Sequence, residues 1–323
     1  MSLTRYIKHK AMFNLKSWFK YHFPNPGLNV KNQLLVPSLN KSKNNGEIGT
    51  ALDYLIRFNL ERINKKVIFR NKNWIAEEGY NSIIMECDLN NDSHMEIGNP
   101  ETATKIVDIE IFREFIINEF NNSKKNYIEF MNKGIITDEL LKSCVFLSKL
   151  DSRYRSGIID LYIDDTCSYD INELKQLINI VPWNIFEAKK QCFLNPNFGD
   201  GSKLVRGADA DLIIDNTLID IKSSKEFKIH RNDLNQLIGY VLLSHIGKIN
   251  NEYDIKITHI AIYFARYKYF WKFPLSNFYE LEKYKELSDE FMKIINNPNL
   301  DLVKDLPKKE TKISYDLGEN PFR

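Results

Sequence analysis

The stretch GADADLIIDNTLIDIKSSK, residues 207–225, decides the fold of this 323-residue chain. Two apolar runs flank Asp215 and Asn216, a pair suited to a tight hairpin turn because both residues tolerate left-handed backbone angles. If these two residues form the turn, counting outward along both strands places Asp211 opposite Asp220. The sequence therefore predicts that two carboxylates meet across one pair of strands.

Two opposed carboxylates repel one another, so Asp211 and Asp220 need a cation between them. Because side chains alternate along a strand, Lys222 points to the same face as Asp220. Magnesium prefers oxygen ligands and keeps several waters, so we expect Mg²⁺, or Mn²⁺ in its place, on the two carboxylates and the carbonyl oxygen of Ile221. Lys222 would then position or help deprotonate an attacking water and offset charge developing on a phosphate.

The alternative interpretation is an exposed hairpin whose Asp and Lys residues form a solvated face. Apolar residues surround these charges, as in a buried sheet, so the charges need partners and the pattern favours a site. These apolar residues are Leu212, Ile213, Ile214, Leu218, Ile219 and Ile221. Asp209 competes for the place of first ligand because it faces the same way as Asp211. We prefer Asp211 because the apolar run follows it directly.

The elements around the hairpin predict an α/β fold with a large helical insertion. Apolar residues recur at helical spacing from about 47 to 64, after a polar stretch, LNKSKNNGE, that indicates a loop. Helical patterns follow in IVDIEIFREFIINEF and DELLKSCVFLSKLD, and β-prone runs follow in KKQCFLNPNF, ADADLIID and TLIDIK. A helix is then expected over about 232–246, before a buried strand, KITHIAIYF, that continues into ARYKYFWKF.

The expected organisation has five parts. They are an N-terminal segment (1–45), a first core helix (46–64), a mainly helical insertion (65–188), the rest of the core (189–275), and a C-terminal helix with a polar tail (276–323). A tail this polar is expected to be partly mobile from about residue 305.

Composition excludes several classes of protein. A formal net charge of +2 does not announce a nucleic-acid binder, so a phosphate-binding surface must be a local patch. We expect neither a membrane span nor a signal peptide, and therefore a cytoplasmic protein. The four scattered cysteines predict reduced, buried thiols, and FGDGSK lacks the spacing of a nucleotide-binding loop, so no ATP is expected.

The hairpin resembles the PD-(D/E)XK nuclease superfamily, in which an Asp and a D-x-K or E-x-K lie on adjacent strands. The order of elements, the helix sequence QLIGY and the upstream GTALDYL are similar to its RecB-like branch. The resemblance covers roughly residues 46–62 and 189–273. It implies an αβββαβ restriction-endonuclease-like core with a mixed central sheet. It also implies a metal-dependent DNA nuclease that hydrolyses phosphodiester bonds by a metal-activated water, in DNA repair, recombination or defence against foreign DNA such as that of phage.

The resemblance also implies roles for individual residues. Its Q-x-x-x-Y motif falls on Gln236 and Tyr240, one helical turn apart, which would orient the metal site or the DNA backbone. The family's upstream glycine and histidine fall on Gly49 and Asp53. Asp53 therefore departs from the pattern, although its carboxylate would still suit a hard cation and complete the shell. Some relatives carry an iron–sulfur cluster on four cysteines, and the cysteine spacing here predicts none.

Four basic residues are candidates for nucleic-acid binding. Arg266 and Lys268 interleave with aromatic residues at the end of the last strand, and Arg153 and Arg155 lie in LDSRYRSG. Ordinary surface positions are the alternative for all four. For the whole chain, the rivals are a non-catalytic nucleic-acid-binding or scaffold protein on the same fold and an RNA-processing nuclease. A protein partner or a homo-oligomer also stays open.

Overall fold

The computed structural model describes residues 2–28, 30–39, 45–70 and 73–307. Within these ranges the regular elements follow in chain order. They are α1 (Leu3–Lys8), α2 (Phe13–His22), α3 (Asn45–Ile63), β1 (Ile68–Arg70), α4 (Ile75–Leu89), β2 (His94–Asn99), β3 (Ala103–Asp108), α5 (Ile109–Lys133), α6 (Asp138–Ser156), α7 (Ser168–Asn179), β4 (Cys192–Leu194), α8 (Asp200–Leu204), β5 (Leu212–Ile214), β6 (Thr217–Lys222), α9 (Arg231–Ile246), β7 (His259–Phe264), β8 (Tyr269–Pro274) and α10 (Lys283–Asn296).

A mixed central sheet organises the chain into an α/β fold. Its strand order is β1, β4, β5, β6, β7, β8, and β2 pairs with β3 in a separate hairpin. The β1–β4 and β6–β7 pairs are parallel, whereas the other three neighbouring pairs of the central sheet are antiparallel. The expected mixed central sheet is therefore confirmed. Elements α3, β4, β5, β6, α9 and β7 follow one another in the chain, with β1–β3 and α4–α7 between α3 and β4 and with α8 between β4 and β5.

The β5–β6 hairpin has the predicted register. Ile214 pairs with Thr217 and Leu212 with Ile219, so the turn falls on residues 215 and 216. Asp215 has a φ of 53°, in the left-handed region that aspartate tolerates. Its carboxylate accepts hydrogen bonds from the backbone N–H groups of residues 189–191, which ties the turn to the start of β4.

Helices cover both faces of the sheet, and alternation along β5 divides its side chains between two cores. Leu212 and Ile214 pack among α3 to α7, whereas Ile213 packs on the opposite side among α1, α2, α9 and α10. A strand that is buried on both faces has apolar residues at consecutive positions, which explains the sequence LII of β5, residues 212–214. Charged residues near such a strand can reach water only at its ends.

The structure adds strands to one segment that was expected to be mainly helical and corrects two other expectations about the flanking segments. Segment 65–188 is mainly helical, but it also supplies edge strand β1 and the β2–β3 hairpin. Residues 106–108, which carried a helical pattern, end β3, and Asp108 caps α5 by accepting from the N–H of Ile111. The loop expected at 39–47 is helical from residue 45, and residues 40–44 lie outside the described ranges, as does the tail from residue 308.

The strand that ends in basic and aromatic residues is two strands, not one. β7 stops at Phe264, a single 3₁₀ turn covers Ala265–Tyr267, and Lys268 adopts a left-handed conformation before β8 returns antiparallel to β7. Arg266 therefore lies in a turn and is fully buried. Its guanidinium pairs with Glu173 and donates to the carbonyl oxygens of Ser223 and Val36.

In the described ranges no helix combines the length and apolar character needed to cross a bilayer. The cysteines are unpaired, as expected, and Cys87, Cys144 and Cys192 are buried, whereas Cys167 is only partly covered.

The contact between α4 and α6 gives a prediction of unusual sign. Replacing a helical glycine by alanine ordinarily stabilises a helix by about 1 kcal/mol. At Gly79, however, a Cβ would lie 1.9 Å from the carbonyl oxygen of Leu150, so the helices must separate. We expect Gly79→Ala to destabilise the fold by about 1–3 kcal/mol in urea unfolding. Glu78→Ala, at the exposed neighbouring position, is the control, and a stabilised Gly79→Ala variant would contradict the packing.

Candidate functional site

Asp211 and Asp220 meet where the β5–β6 hairpin opens. They lie one step beyond the last paired residues, Leu212 and Ile219, so an extension of the register places them opposite one another, and Asp211 contributes to the raised pKa of Asp220. Asp211 Oδ2 accepts the backbone N–H of Ile221 at 2.7 Å, which fixes its orientation. Burial raises the pKa of Asp211 against the lowering effect of that N–H, and burial raises the pKa of Asp220 to about 7. Burial of the two carboxylates therefore disfavours their charged forms.

Lys222 supplies positive charge beside these carboxylates. Its Nζ lies 3.0 Å from Asp220 Oδ2 and 3.4 Å from Asp233 Oδ1, on the first turn of α9. Burial opposes the charge of Lys222, but the surrounding carboxylates, Asp220 foremost, hold its pKa above the ordinary value. The neighbouring carboxylates therefore favour the charged form of Lys222. Sequence reasoning placed Lys222 here but missed Asp233.

Asp53 approaches the same place from α3. Its Oδ2 lies 2.6 Å from Arg57 Nη2, one turn further along the helix, and Arg57 is buried and stacked over the Tyr54 ring at 4.4 Å. Burial raises the pKa of Asp53 to about 7, against Arg57, and Asp211 adds to the rise. Because Asp53 and Asp211 influence one another, α3 and the hairpin share one electrostatic site. In the sequence, this pair is indicated by the spacing of Asp53 and Arg57, which are four residues apart on one face of the predicted helix.

Gln236 and Tyr240 form the adjoining wall on α9. Gln236 Nε2 donates to the Tyr240 hydroxyl at 2.7 Å and to Thr4 Oγ1 at 3.3 Å. The Tyr240 ring stacks on Phe198, with centroids 5.2 Å apart. The predicted neighbours on one helical face are thus in contact, and α1 joins the site through Thr4, which the sequence did not indicate.

These groups line one open cleft of about 960 Å³, including the solvent it opens onto. Asp53, Asp211, Ile221, Gln236 and Tyr240 all line it. Asp220 and Lys222 do not line this cleft; they pair with each other on β6, and Asp211 contributes to the raised pKa of Asp220. Five of the residues predicted for catalysis or metal binding therefore line the cleft, and the other two lie beside Asp211.

The candidate nucleic-acid contacts separate into different environments. Arg155 lines the cleft and bridges Asp151, at 2.5 Å, and Asp209, at 3.3 Å. Arg153 points away to α4, where its Nη2 lies 2.5 Å from Glu86 Oε2. Lys268 is exposed at the β7–β8 turn.

Arg266 is enclosed by protein, so the interpretation of this residue as a phosphate contact is wrong for this fold. The competing ligand, Asp209, is engaged by Arg155, whereas Asp211 faces Asp220, which favours Asp211.

Two buried oxygen atoms indicate that the site suits a cation. Asp53 Oδ1 and Asp220 Oδ2 are shielded from solvent and accept no hydrogen bond, but Asp220 Oδ2 is ion-paired with Lys222 Nζ at 3.0 Å, so Asp53 Oδ1 is the stronger indication. A buried carboxylate oxygen without a donor is costly, and a hard divalent ion satisfies it. Among the described residues, no group of three His, Cys, Asp or Glu side chains has converged as a finished metal site. Any ion would therefore rely on backbone, water or substrate oxygens as well.

The raised pKa of Asp220 predicts how metal-free stability changes with pH. An unfolded aspartate titrates near pH 4, so between about pH 4 and about pH 7 the folded chain keeps a proton that the unfolded chain has lost. That contribution to stability is complete below the unfolded pKa and is lost as pH rises through about 7. We expect Asp220→Asn to gain thermal stability relative to the wild type in EDTA as pH rises from about 5 to about 8. A difference that does not change with pH would contradict this.

Comparison with known proteins identified no relative. No family model, no curated protein and no solved structure matches the chain. The chemistry of the cleft therefore carries the functional argument.

Proposed function

We propose that this chain is a magnesium-dependent nuclease that hydrolyses phosphodiester bonds in DNA, built on a restriction-endonuclease-like core of α3, β4, β5, β6, α9 and β7. The observation that carries the proposal is the meeting of Asp211, Asp220 and Lys222 at the open end of a buried hairpin, beside a cleft. A purely structural role has no need of opposed, desolvated carboxylates, because apolar residues there would stabilise the fold more.

The oxygen atoms of Asp211 and Asp220 are the proposed ligands for Mg²⁺ or Mn²⁺, joined by the Ile221 carbonyl and the partnerless Oδ1 of Asp53. All four are hard donors of the kind Mg²⁺ prefers. When bound, the ion would polarise a phosphoryl oxygen and favour the hydroxide form of a water. Arg57 pairs with Oδ2 of Asp53, so Oδ1 stays available for the metal ion.

Side chains of this protein supply the remaining functions. Lys222, charged at neutral pH, offsets negative charge that develops on the phosphate and orients the attacking water. Gln236 and Tyr240, which are joined by a hydrogen bond, position the neighbouring part of the DNA strand. Arg155 is the candidate phosphate contact inside the cleft, and Lys268 is a candidate on the outer surface. Repair, recombination and defence against foreign DNA are the processes such an enzyme would serve.

The test is cleavage of linear and circular DNA by the purified protein with Mg²⁺, Mn²⁺ or EDTA, with RNA as a parallel substrate. The proposal predicts metal-dependent DNA cleavage that is abolished in Asp220→Ala. Cleavage of the circle identifies an endonuclease, and cleavage confined to linear DNA identifies an exonuclease. If the protein cleaved RNA but not DNA, the substrate would be RNA in place of the proposed DNA. DNA binding without cleavage under any metal would instead support a non-catalytic binding protein.

A further inference from the structure

A second polar pocket extends the cleft away from the carboxylates. It encloses about 720 Å³ with the solvent it opens onto, and it shares Gly46, Thr50, Asp151 and Arg155 with the cleft. Its walls come from α1, the start of α3 and the end of α6. A long polar ligand bound at the carboxylates can therefore extend into this pocket along the protein surface.

Two guanidinium groups line this pocket. Arg5, on α1, is exposed and has no ion-pair partner among the described residues. Arg155, on α6, is half exposed and uses Nε for Asp151 and Nη2 for Asp209. Because a guanidinium has five N–H donors in a fixed plane, Arg155 keeps donors for a further oxygen ligand while these two pairs hold it in place.

The acidic residues of the same walls have partners of their own. Asp151 and Asp209 offset the charge of Arg155, which leaves Arg5 as the guanidinium of this pocket without an ion-pair partner among the described residues. Asp151 pairs with Arg155, and Glu47 lies 3.6 Å from Lys149. Asp160 accepts the backbone N–H of Tyr162 at 2.8 Å. Hydroxyl groups supply much of the remaining polar lining, from Thr50, Ser148, Ser152 and Ser156. Arginine beside serine and threonine is the side-chain set that proteins use on the nucleic-acid backbone.

We propose that this pocket binds the sugar–phosphate backbone of the polynucleotide beyond the reacting bond, with Arg5 and Arg155 each holding a backbone phosphate. The inference rests on the proposed function for the identity of the ligand, and it adds a binding subsite and a residue, Arg5, that the sequence did not single out. Both arginines act in binding, but Arg5 lines only this pocket, whereas Arg155 also lines the cleft with Asp53 and Asp211. Loss of Arg5 is expected to weaken binding and raise KM while kcat stays near that of the parent, and loss of Arg155 is expected to weaken binding.

The test is binding of a short fluorescent single-stranded DNA, and of the same sequence as RNA, to the Lys222→Met protein in EDTA. Fluorescence anisotropy is recorded over a salt series for Arg5→Gln and Arg155→Gln. Each variant is expected to bind at least roughly fivefold more weakly and to lower the slope of log affinity against log salt by about 0.7. Lys8→Gln is the matched control, because Lys8 is exposed on the same short helix but does not line the pocket.

Unchanged affinity in Arg5→Gln, or an equal loss in Lys8→Gln, would overturn the subsite. Thermal unfolding guards against a folding defect in Arg155→Gln, and Arg155→Lys should recover part of the affinity because it keeps the charge. Cleavage by the wild type and by the otherwise wild-type Arg5→Gln protein separates the two proposals. Arginine-dependent binding without any cleavage leaves the subsite and removes the nuclease, whereas cleavage with KM unaffected by Arg5 leaves the nuclease and removes the subsite.

Discussion

Replacing Lys222 by methionine is expected to lower the rate of DNA cleavage by about 10²- to 10³-fold, the usual cost of removing one donor to a developing negative charge. Methionine keeps the length of the side chain but removes the charge that lies between Asp220 and Asp233. Single-turnover cleavage at saturating Mg²⁺ measures the effect. Lys225→Met is the matched control, because Lys225 is exposed three residues further on and is expected to keep full activity.

The Lys222 variant also separates chemistry from metal binding. We expect Lys222→Met to bind metal at least as well as the wild type, because a competing cation has been removed from Asp220. Asp220→Asn is expected to lose both metal binding and cleavage. Equal cleavage by Lys222→Met and the wild type would mean that the assignment of Lys222 is wrong.

Replacing Arg266 by methionine is expected to destabilise the fold by about 3–5 kcal/mol, the cost of leaving one member of a buried ion pair without its partner. Glu173 is fully buried, and its other oxygen accepts the N–H of Leu39 at 2.7 Å, so it cannot turn to water. Chemical unfolding measures the loss. Lys268→Ala, two residues away and exposed, should change stability by less than about 0.5 kcal/mol.

A double variant distinguishes the buried pair from a general packing defect. Arg266→Met combined with Glu173→Leu removes both charges, so we expect it to recover much of the stability lost in the single variant. If Arg266→Met unfolded like the wild type and bound DNA weakly, Arg266 would be a nucleic-acid contact after all.

Local chemistry made the hairpin predictable. The Asp215–Asn216 turn fixes the register, and the register alone sets Asp211 against Asp220. The spacing of Gln236 and Tyr240 similarly required only helical geometry. In each case, the relevant partners lie within a few residues of one another in the chain, where period and turn preference decide the outcome.

Contacts between distant segments were not predictable in this way. Arg266 meets Glu173 across 93 positions, so its sequence neighbours gave no indication that it is buried. Arg155 reaches Asp209 across 54 positions. Strand β1 has only three residues, too few to show a period, and its pairing with β4 is set by the fold around it.

The measurement that tests the central claim most directly is calorimetric titration of Mg²⁺ and Mn²⁺ into the wild type, Asp220→Asn and Asp211→Asn near neutral pH. We predict that the wild type binds the ions, that both asparagine variants lose this binding, and that thermal unfolding in EDTA shows both variants folded. Wild-type protein that binds neither ion, with or without an added oligonucleotide, would contradict it. Variants that bind as tightly as the wild type would show that Asp211 and Asp220 are not the ligands.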